Sequence, residues 1–311
     1  MKILACGDLH FRAHAPVNRI DDFFAVQLRK LDFILEQARK NKCDTVVFPG
    51  DVFDRANAPY ALVETLIRTF KHTLAWVGSS VQTFVFVFGQ HDLRYHTSGK
   101  ANTPLGVLVA GLGDSALVAG AEPIYETTWE NAINGASWGE EFPRLPERRG
   151  KVKPLLVTVL HKTITQEPLP WEGEIYTAKE LLDKYPADVF ICGDNHTRFV
   201  HEDKGRFVVN LGSVTRMSKD QAKHKPALAL IDLNAVSGKV NCKLIPIPIE
   251  ADVFRDEDER LQDDEKMEKF MQSLGKDYQA DLDYKENVRL AGEKCSSGVK
   301  RVIDNVLETV G

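Results

Sequence analysis

The sequence has no apolar run near the roughly 20 residues a membrane-crossing helix needs, no internal repeat and no low-complexity tract. That excludes a spanning protein, a solenoid and a disordered linker. The short apolar start reads as a strand rather than a signal peptide. Cysteine is scarce: Cys6, Cys43, Cys192, Cys242 and Cys295 are odd in number, widely spaced and never paired as Cys-x-x-Cys. A disulfide framework and a zinc ribbon are thereby unsupported, and the thiols read as small core residues in a reducing cytoplasm. No strong excess of one charge exists either, since the net formal charge is −5 over 311 residues. An obvious polyanion binder is not implied. Residues 251–311 carry 16 acidic and 10 basic side chains, which leaves the remainder near neutral at +1. A local positive cleft is therefore permitted.

What is present is a soluble composition, 43% hydrophobic and 27% charged, in a chain long enough for a large α/β domain and an appendage. Residues 2–7 read as a first strand. Ile20, Phe23, Phe24, Leu28, Leu31, Leu35 and Ala38 recur at helical spacing. A strand then runs into Gly50-Asp51. A second helix is marked by Pro59, with Leu62, Leu66, Phe70 and Leu74 on one face. Residues 81–88, nearly all β-branched or aromatic, predict a third strand. Residues 177–185 look helical, and strands dominate from 188 to about 249. Alternation early and strands late suggest an α/β fold of two sheets packed on each other and flanked by helices. The boundary falls near 250, giving a 1–250 domain and a 251–311 acidic, mostly helical region. Val302, Ile303, Val306, Leu307 and Val310 predict an amphipathic helix there.

The chemistry lies where strands end. Five apolar runs stop at residues able to hold metal: Asp8 and His10, Asp51, Gln90-His91-Asp92, His161, and Asp194 with His196. Each alone is weak, because an aspartate after a strand often caps a helix and a lone histidine is more often a core residue. Converging on one edge, the five would supply about ten oxygen and nitrogen ligands. That suffices for two metals sharing a carboxylate, with Asp51 the best candidate for the bridge.

The ordered series Asp8-x-His10, Gly50-Asp51-x-x-Asp54-Arg55, Gly-x-His91-Asp92, His161 and Gly-x-x-His196 resembles the signature of calcineurin-like metallophosphoesterases. The resemblance spans roughly residues 1–250 and implies their four-layer sandwich of two mixed β-sheets between helices, with a small C-terminal helical appendage. It further implies that Asp8, His10, Asp51 and His196 hold one divalent ion and that Asp51, Gln90, His161 and Asp194 hold another. Manganese is the expected metal, with magnesium as the alternative. His91 would protonate the departing oxygen, oriented by Asp92. Two positions depart from the family pattern: Gln90 stands where Asn is usual, and Asp194 where a histidine is usual. Residues Asn210-Leu211-Gly212-Ser213-Val214-Thr215-Arg216 are similar to the Gly-Ser-x-x-Arg segment of SbcD-like double-strand-break-repair exonucleases. This implies Ser213 and Arg216 as substrate contacts, with Arg216 equally readable as scaffold. It also implies DNA as substrate in repair or recombination, an SbcC-like coiled-coil ATPase as partner, a homodimer as one arrangement, and no membrane association. A small-substrate phosphoesterase and a scaffold with a weakened site are the rival readings. Arg55 reads as an ion-pair residue; the basic stretch Arg144, Arg148, Arg149, Lys151 and Lys153 reads as a solvated loop or a nucleic-acid contact.

Overall fold

In the computed structural model, the described residues are 1–76, 78–96, 99–125, 131–143, 155–170, 173–251, 253–254 and 300. The chain divides into two compact units, Met1–Phe254 and Arg255–Gly311, and all described residues except Lys300 lie in the first. The expected helix over 302–310 and the basic loop at 144–153 fall outside the described residues.

Fourteen strands and four α-helices lie among the described residues of this unit. The strands are β1 Lys2–Ala5, β2 Thr45–Phe48, β3 Thr83–Phe86, β4 Ala116–Val118, β5 Ile124–Tyr125, β6 Asn131–Ala136 and β7 Leu155–His161. They continue as β8 Ile164–Thr165, β9 Tyr176–Thr177, β10 Val189–Gly193, β11 Phe199–Asp203, β12 Arg206–Asn210, β13 Ala227–Asn234 and β14 Lys239–Pro246. The helices are α1 Phe23–Lys40, α2 Tyr60–Ala75, α3 Pro104–Leu112 and α4 Ala178–Lys184. One six-stranded sheet runs β14-β13-β1-β2-β3-β4 and a second runs β11-β12-β10-β7-β6-β5, both mixed.

Strand alternation builds the layers. In β1, β2 and β3, Leu4, Val46, Phe48, Phe84 and Phe86 face a core shared with α1, α2 and α3. Their neighbours Ile3, Ala5, Val47 and Val85 face the other sheet, meeting Val157, Val159, Val189 and Ile191. On the far side of β7 and β10, Leu156, Leu160, Phe190 and Cys192 pack on Leu181 and Leu182 of α4. A period-two pattern that is apolar on both faces can only be a buried strand, so helix, sheet, sheet and helix follow as four layers. Phe70 of α2 lies 5.5 Å from Phe48 and 4.8 Å from Phe84 between ring centroids, both edge-on.

The first helix begins later than its periodicity suggests. Asp22 accepts the Ala25 N–H as cap, and Ile20, counted in the apolar stripe, precedes the helix and is exposed. Pro59 serves as the N-cap of α2 rather than its first turn. Within each sheet the site-bearing strands are parallel, β1-β2-β3 in one and β7-β10 in the other. Their carboxyl ends therefore open on one edge.

Candidate metal centre

Every strand end expected to carry a ligand delivers it there, through backbone conformations that are costly elsewhere. His10 and Asp51 have φ of 46° and Asp194 has φ of 84°, in the left-handed region that few non-glycine residues occupy. Gly50 has φ of 103°, and a Cβ on it would meet His161 Nδ1 at 2.1 Å. A Cβ on Gly89 would meet Asp51 Oδ1 at 2.0 Å. The site is therefore packed too tightly against its own turns for any side chain at these two positions.

One group converges as Asp8, His10 and His196, whose ligand atoms lie within 4.8 Å of one another. His10 Nε2 faces His196 Nε2 at 3.1 Å, and Asp8 Oδ2 is 3.7 Å from His196 Nε2. Asp51 Oδ2 stands between the two halves, 3.8 Å from His10 Nε2 and 3.5 Å from His161 Nε2. On the second side Gln90 Oε1 is 2.7 Å from His161 Nε2, and Gln90 Nε2 donates to Asp194 Oδ1 at 2.9 Å. The longer glutamine thus spans the gap and still presents its carbonyl beside His161. The structure accordingly brings together all seven expected ligands, Asp8, His10, Asp51, Gln90, His161, Asp194 and His196.

This set fits cations. Asp8 Oδ1 and Asp51 Oδ2 are buried and, among the described residues, without a hydrogen-bond partner. The side chains within salt-bridge reach of either are histidines, not lysine or arginine. Two buried carboxylate oxygens left without a hydrogen-bond donor are costly in a protein interior, and a divalent ion offsets that cost. Burial raises the Asp8 pKa well above the carboxylate range and pushes His10 down to about 3. His196 is lowered by burial as well. Both imidazoles are therefore neutral, the form that binds metal. Burial would lower His161, but the Asp51 carboxylate overrides it and carries it up to about 10. Reciprocally, burial would raise Asp51, and His161 and His10 hold it below the usual range.

His91 occupies the exposed rim. Its N–H donates to Asp51 Oδ1 at 3.0 Å, and its ring Nδ1 is 2.9 Å from the Asp54 carbonyl oxygen. That carbonyl accepts from Nδ1–H and leaves Nε2 outward. Asp92 does not perform the orienting role expected of it. Its oxygens accept the N–H groups of Val52, Phe53 and Gly89 at 3.3, 2.9 and 3.0 Å, tying the β3 loop to the β2 loop. A carboxylate two atoms from its own backbone reaches those donors more readily than the neighbouring ring.

Ser213 and Arg216 are also placed otherwise than as substrate contacts. Ser213 is fully buried and bridges Asp8 backbone to backbone. Arg216 is buried and donates to the carbonyl oxygens of Ala222 and Glu250. The Asn210 amide clamps the carbonyls of Asn195 and Thr197 at 2.7 and 2.8 Å, behind His196. The whole 210–216 segment supports the site from behind. Arg55 lies 3.7 Å from Asp54, in agreement with its ion-pair reading. Sequence reasoning missed two supports: the Pro49 carbonyl, 2.7 Å from His161 Nδ1, and the Thr163 hydroxyl, which donates to Asp194 Oδ2. Thr163 lies two residues past His161, and only its polarity beside a strand-end ligand hinted at a role.

The chain belongs to the calcineurin-like phosphoesterase family, whose model matches residues 1–198. Similar solved structures include an archaeal phosphodiesterase at 12% identity, covering 79% of this chain and 100% of that one, with a TM-score of 0.41. A Staphylococcus aureus protein assigned as a 5′-nucleotidase is 14% identical, with coverage of 83% and 56% and a TM-score of 0.46. Vps29 of Chaetomium thermophilum is 15% identical, with coverage of 81% and 98% and a TM-score of 0.36. Comparison with curated proteins gives no match. No helix among the described residues is long and apolar enough to cross a membrane.

Proposed function

We propose that this protein is a two-metal phosphodiesterase that hydrolyses DNA as an exonuclease or endonuclease in repair or recombination. The observation that carries the phosphodiesterase reading is the Asp51 carboxylate lying between His10 and His161, within 3.8 and 3.5 Å of their Nε2 atoms. Asp8, His10, Asp51 and His196 would hold one ion, and Asp51, Gln90, His161 and Asp194 the other. Mixed carboxylate, amide and imidazole donors suit manganese, with magnesium as the alternative. When bound, such a pair clamps phosphoryl oxygens and makes water nucleophilic near neutral pH.

The chain's own residues do the rest. Water oxygen bonds to phosphorus as the bond to the leaving oxygen breaks, and the water's second proton passes to solvent. His91, held through Nδ1 by the Asp54 carbonyl, gives the Nε2 proton to the departing oxygen. Asp51 fixes the His91 backbone through its other oxygen, so acid and bridge keep one geometry. The DNA reading rests on the 210–216 resemblance and on Arg55, which lines one cleft with Gln90 and His91. A coiled-coil ATPase partner docking on residues 302–310, a homodimer, and a cytoplasmic location with reduced thiols complete it.

The test is substrate choice in manganese. Labelled single- and double-stranded DNA, bis(p-nitrophenyl) phosphate and p-nitrophenyl phosphate are offered to the full chain. The proposal expects DNA and the diester to be cleaved and the monoester to be poor. Preference for the monoester would favour a small-substrate enzyme, and no cleavage of any would favour a scaffold.

A further inference from the structure

Beside the metal centre a cleft of about 380 Å³ opens, lined among others by Gln90, His91, Arg55, Asn57, Leu93 and Tyr95. A volume of this order accommodates a small organic group. Gln90 and His91 belong to the two-metal site itself, so the cleft continues directly from it on the side of the proton donor. Whatever departs from phosphorus with the His91 proton must lie there.

Tyr95 is the feature of this cleft that folding does not explain. Its backbone sits at φ 52° and ψ 27°, left-handed, in a bulky residue. Such conformations persist where packing or function requires them. Packing does not require it: Tyr95 is 94% exposed, more than any other aromatic side chain among the exposed large hydrophobics. An aromatic ring held out at the mouth of a site, in a cleft that Leu93 and Arg55 also line, is a stacking platform for a flat π-system next to a phosphate.

We propose that this cleft is the leaving-group subsite and that Tyr95 stacks on the base of the departing nucleoside, so that the enzyme selects nucleoside leaving groups over alkyl ones. This rests on the phosphodiesterase reading. It adds which side of the scissile bond is recognised, and by what. The recognition is tolerant of base identity, since every base offers a face and the cleft presents a ring rather than a base-edge code.

The test uses the full chain in manganese and three substrates: thymidylyl-thymidine, and the two analogues in which one or the other nucleoside is replaced by an abasic tetrahydrofuran. For the wild type, loss of the base on the leaving side should raise KM about 5- to 160-fold, the range expected for one stacked base, with kcat little changed. Tyr95→Ala should raise KM for the intact dinucleotide by the same factor and treat it and the leaving-side abasic analogue alike. Tyr95→Phe should retain wild-type values. A Tyr95→Ala protein that distinguishes the three substrates as the wild type does, or that is weakened equally on all three, overturns the proposal. If the wild type cleaves no phosphodiester, the parent reading fails instead, and the cleft is judged by binding. Deoxyadenosine titrated into metal-free protein should then shift the wild type and not Tyr95→Ala; equal binding, or none, overturns the subsite.

Discussion

The Nε2 atoms of His10 and His196 face each other at 3.1 Å, although the residues stand 186 positions apart and follow strands of different sheets. Two neutral rings so placed can satisfy only one shared proton between them, and a cation accepts both lone pairs. His196→Asn should therefore remove one of the two ions while leaving the fold intact. Elemental analysis after dialysis should fall from about two metals per chain to about one. The rise in Tm on adding manganese should shrink in parallel. Unchanged stoichiometry would remove His196 from the ligand set.

A pH dependence follows from His10. Burial holds its pKa at about 3 in the folded chain, against about 6.5 when unfolded. Between these values the unfolded chain takes up a proton that the folded chain refuses. The stability tied to neutral His10 is thus complete above about pH 6.5 and is lost as pH falls toward 3, with a slope approaching about 1.4 kcal/mol per pH unit. Urea unfolding in chelator from pH 4 to 8 should show wild type losing stability relative to His10→Asn as pH drops. A difference independent of pH contradicts the burial argument.

His91 and Asp92 should separate. His91→Ala is expected to keep its metal and lose about 100- to 10,000-fold in turnover, the usual span for a missing general acid. Asp92→Ala removes three backbone hydrogen bonds at a buried carboxylate and should cost about 3 kcal/mol or more of stability. Thermal unfolding and metal content measured on both variants decide this. An Asp92→Ala protein of normal Tm that fails only in turnover would restore its role toward His91.

Arg216 tests scaffold against phosphate ligand. Arg216→Met should lower stability by about 3 kcal/mol, because two carbonyl acceptors lose a charged donor. The slope of log K for DNA against log salt should not change. A phosphate contact would reduce that slope by about 1.

The convergence of the site residues on one edge was legible because strand ends are written twice in the sequence, once as a buried run and once as the polar residue that stops it. Asp51 after residues 45–48 and His161 at the end of β7 both show this. Two parallel sheet segments opening on one edge then bring them together. Asp92 was misread because adjacency in sequence to His91 suggested adjacency of side chains. A 3-10 turn at Gln90–Asp92 instead aims the carboxylate at the loop it closes. For Arg216 the motif left phosphate contact and scaffold equally open, because a motif fixes where a residue stands and not what its side chain touches; its bonds to the Ala222 and Glu250 carbonyls are of the scaffold kind. Ile20 failed because helical spacing continues into the segment ahead of the Asp22 cap, and only the cap decides where the helix begins. Tyr95 left no pattern at all, since a left-handed exposed aromatic has no sequence period.

The proposed function is a DNA phosphodiesterase in which Asp51 would be shared by two ions. Its most direct measurement is the degradation of end-labelled DNA by the full chain and by Asp51→Asn, each with chelator and with manganese restored. The account predicts cleavage by the wild type only when manganese is present, and none by Asp51→Asn at any manganese concentration that leaves the protein folded. Cleavage by the wild type in chelator, or undiminished cleavage by Asp51→Asn, would contradict it.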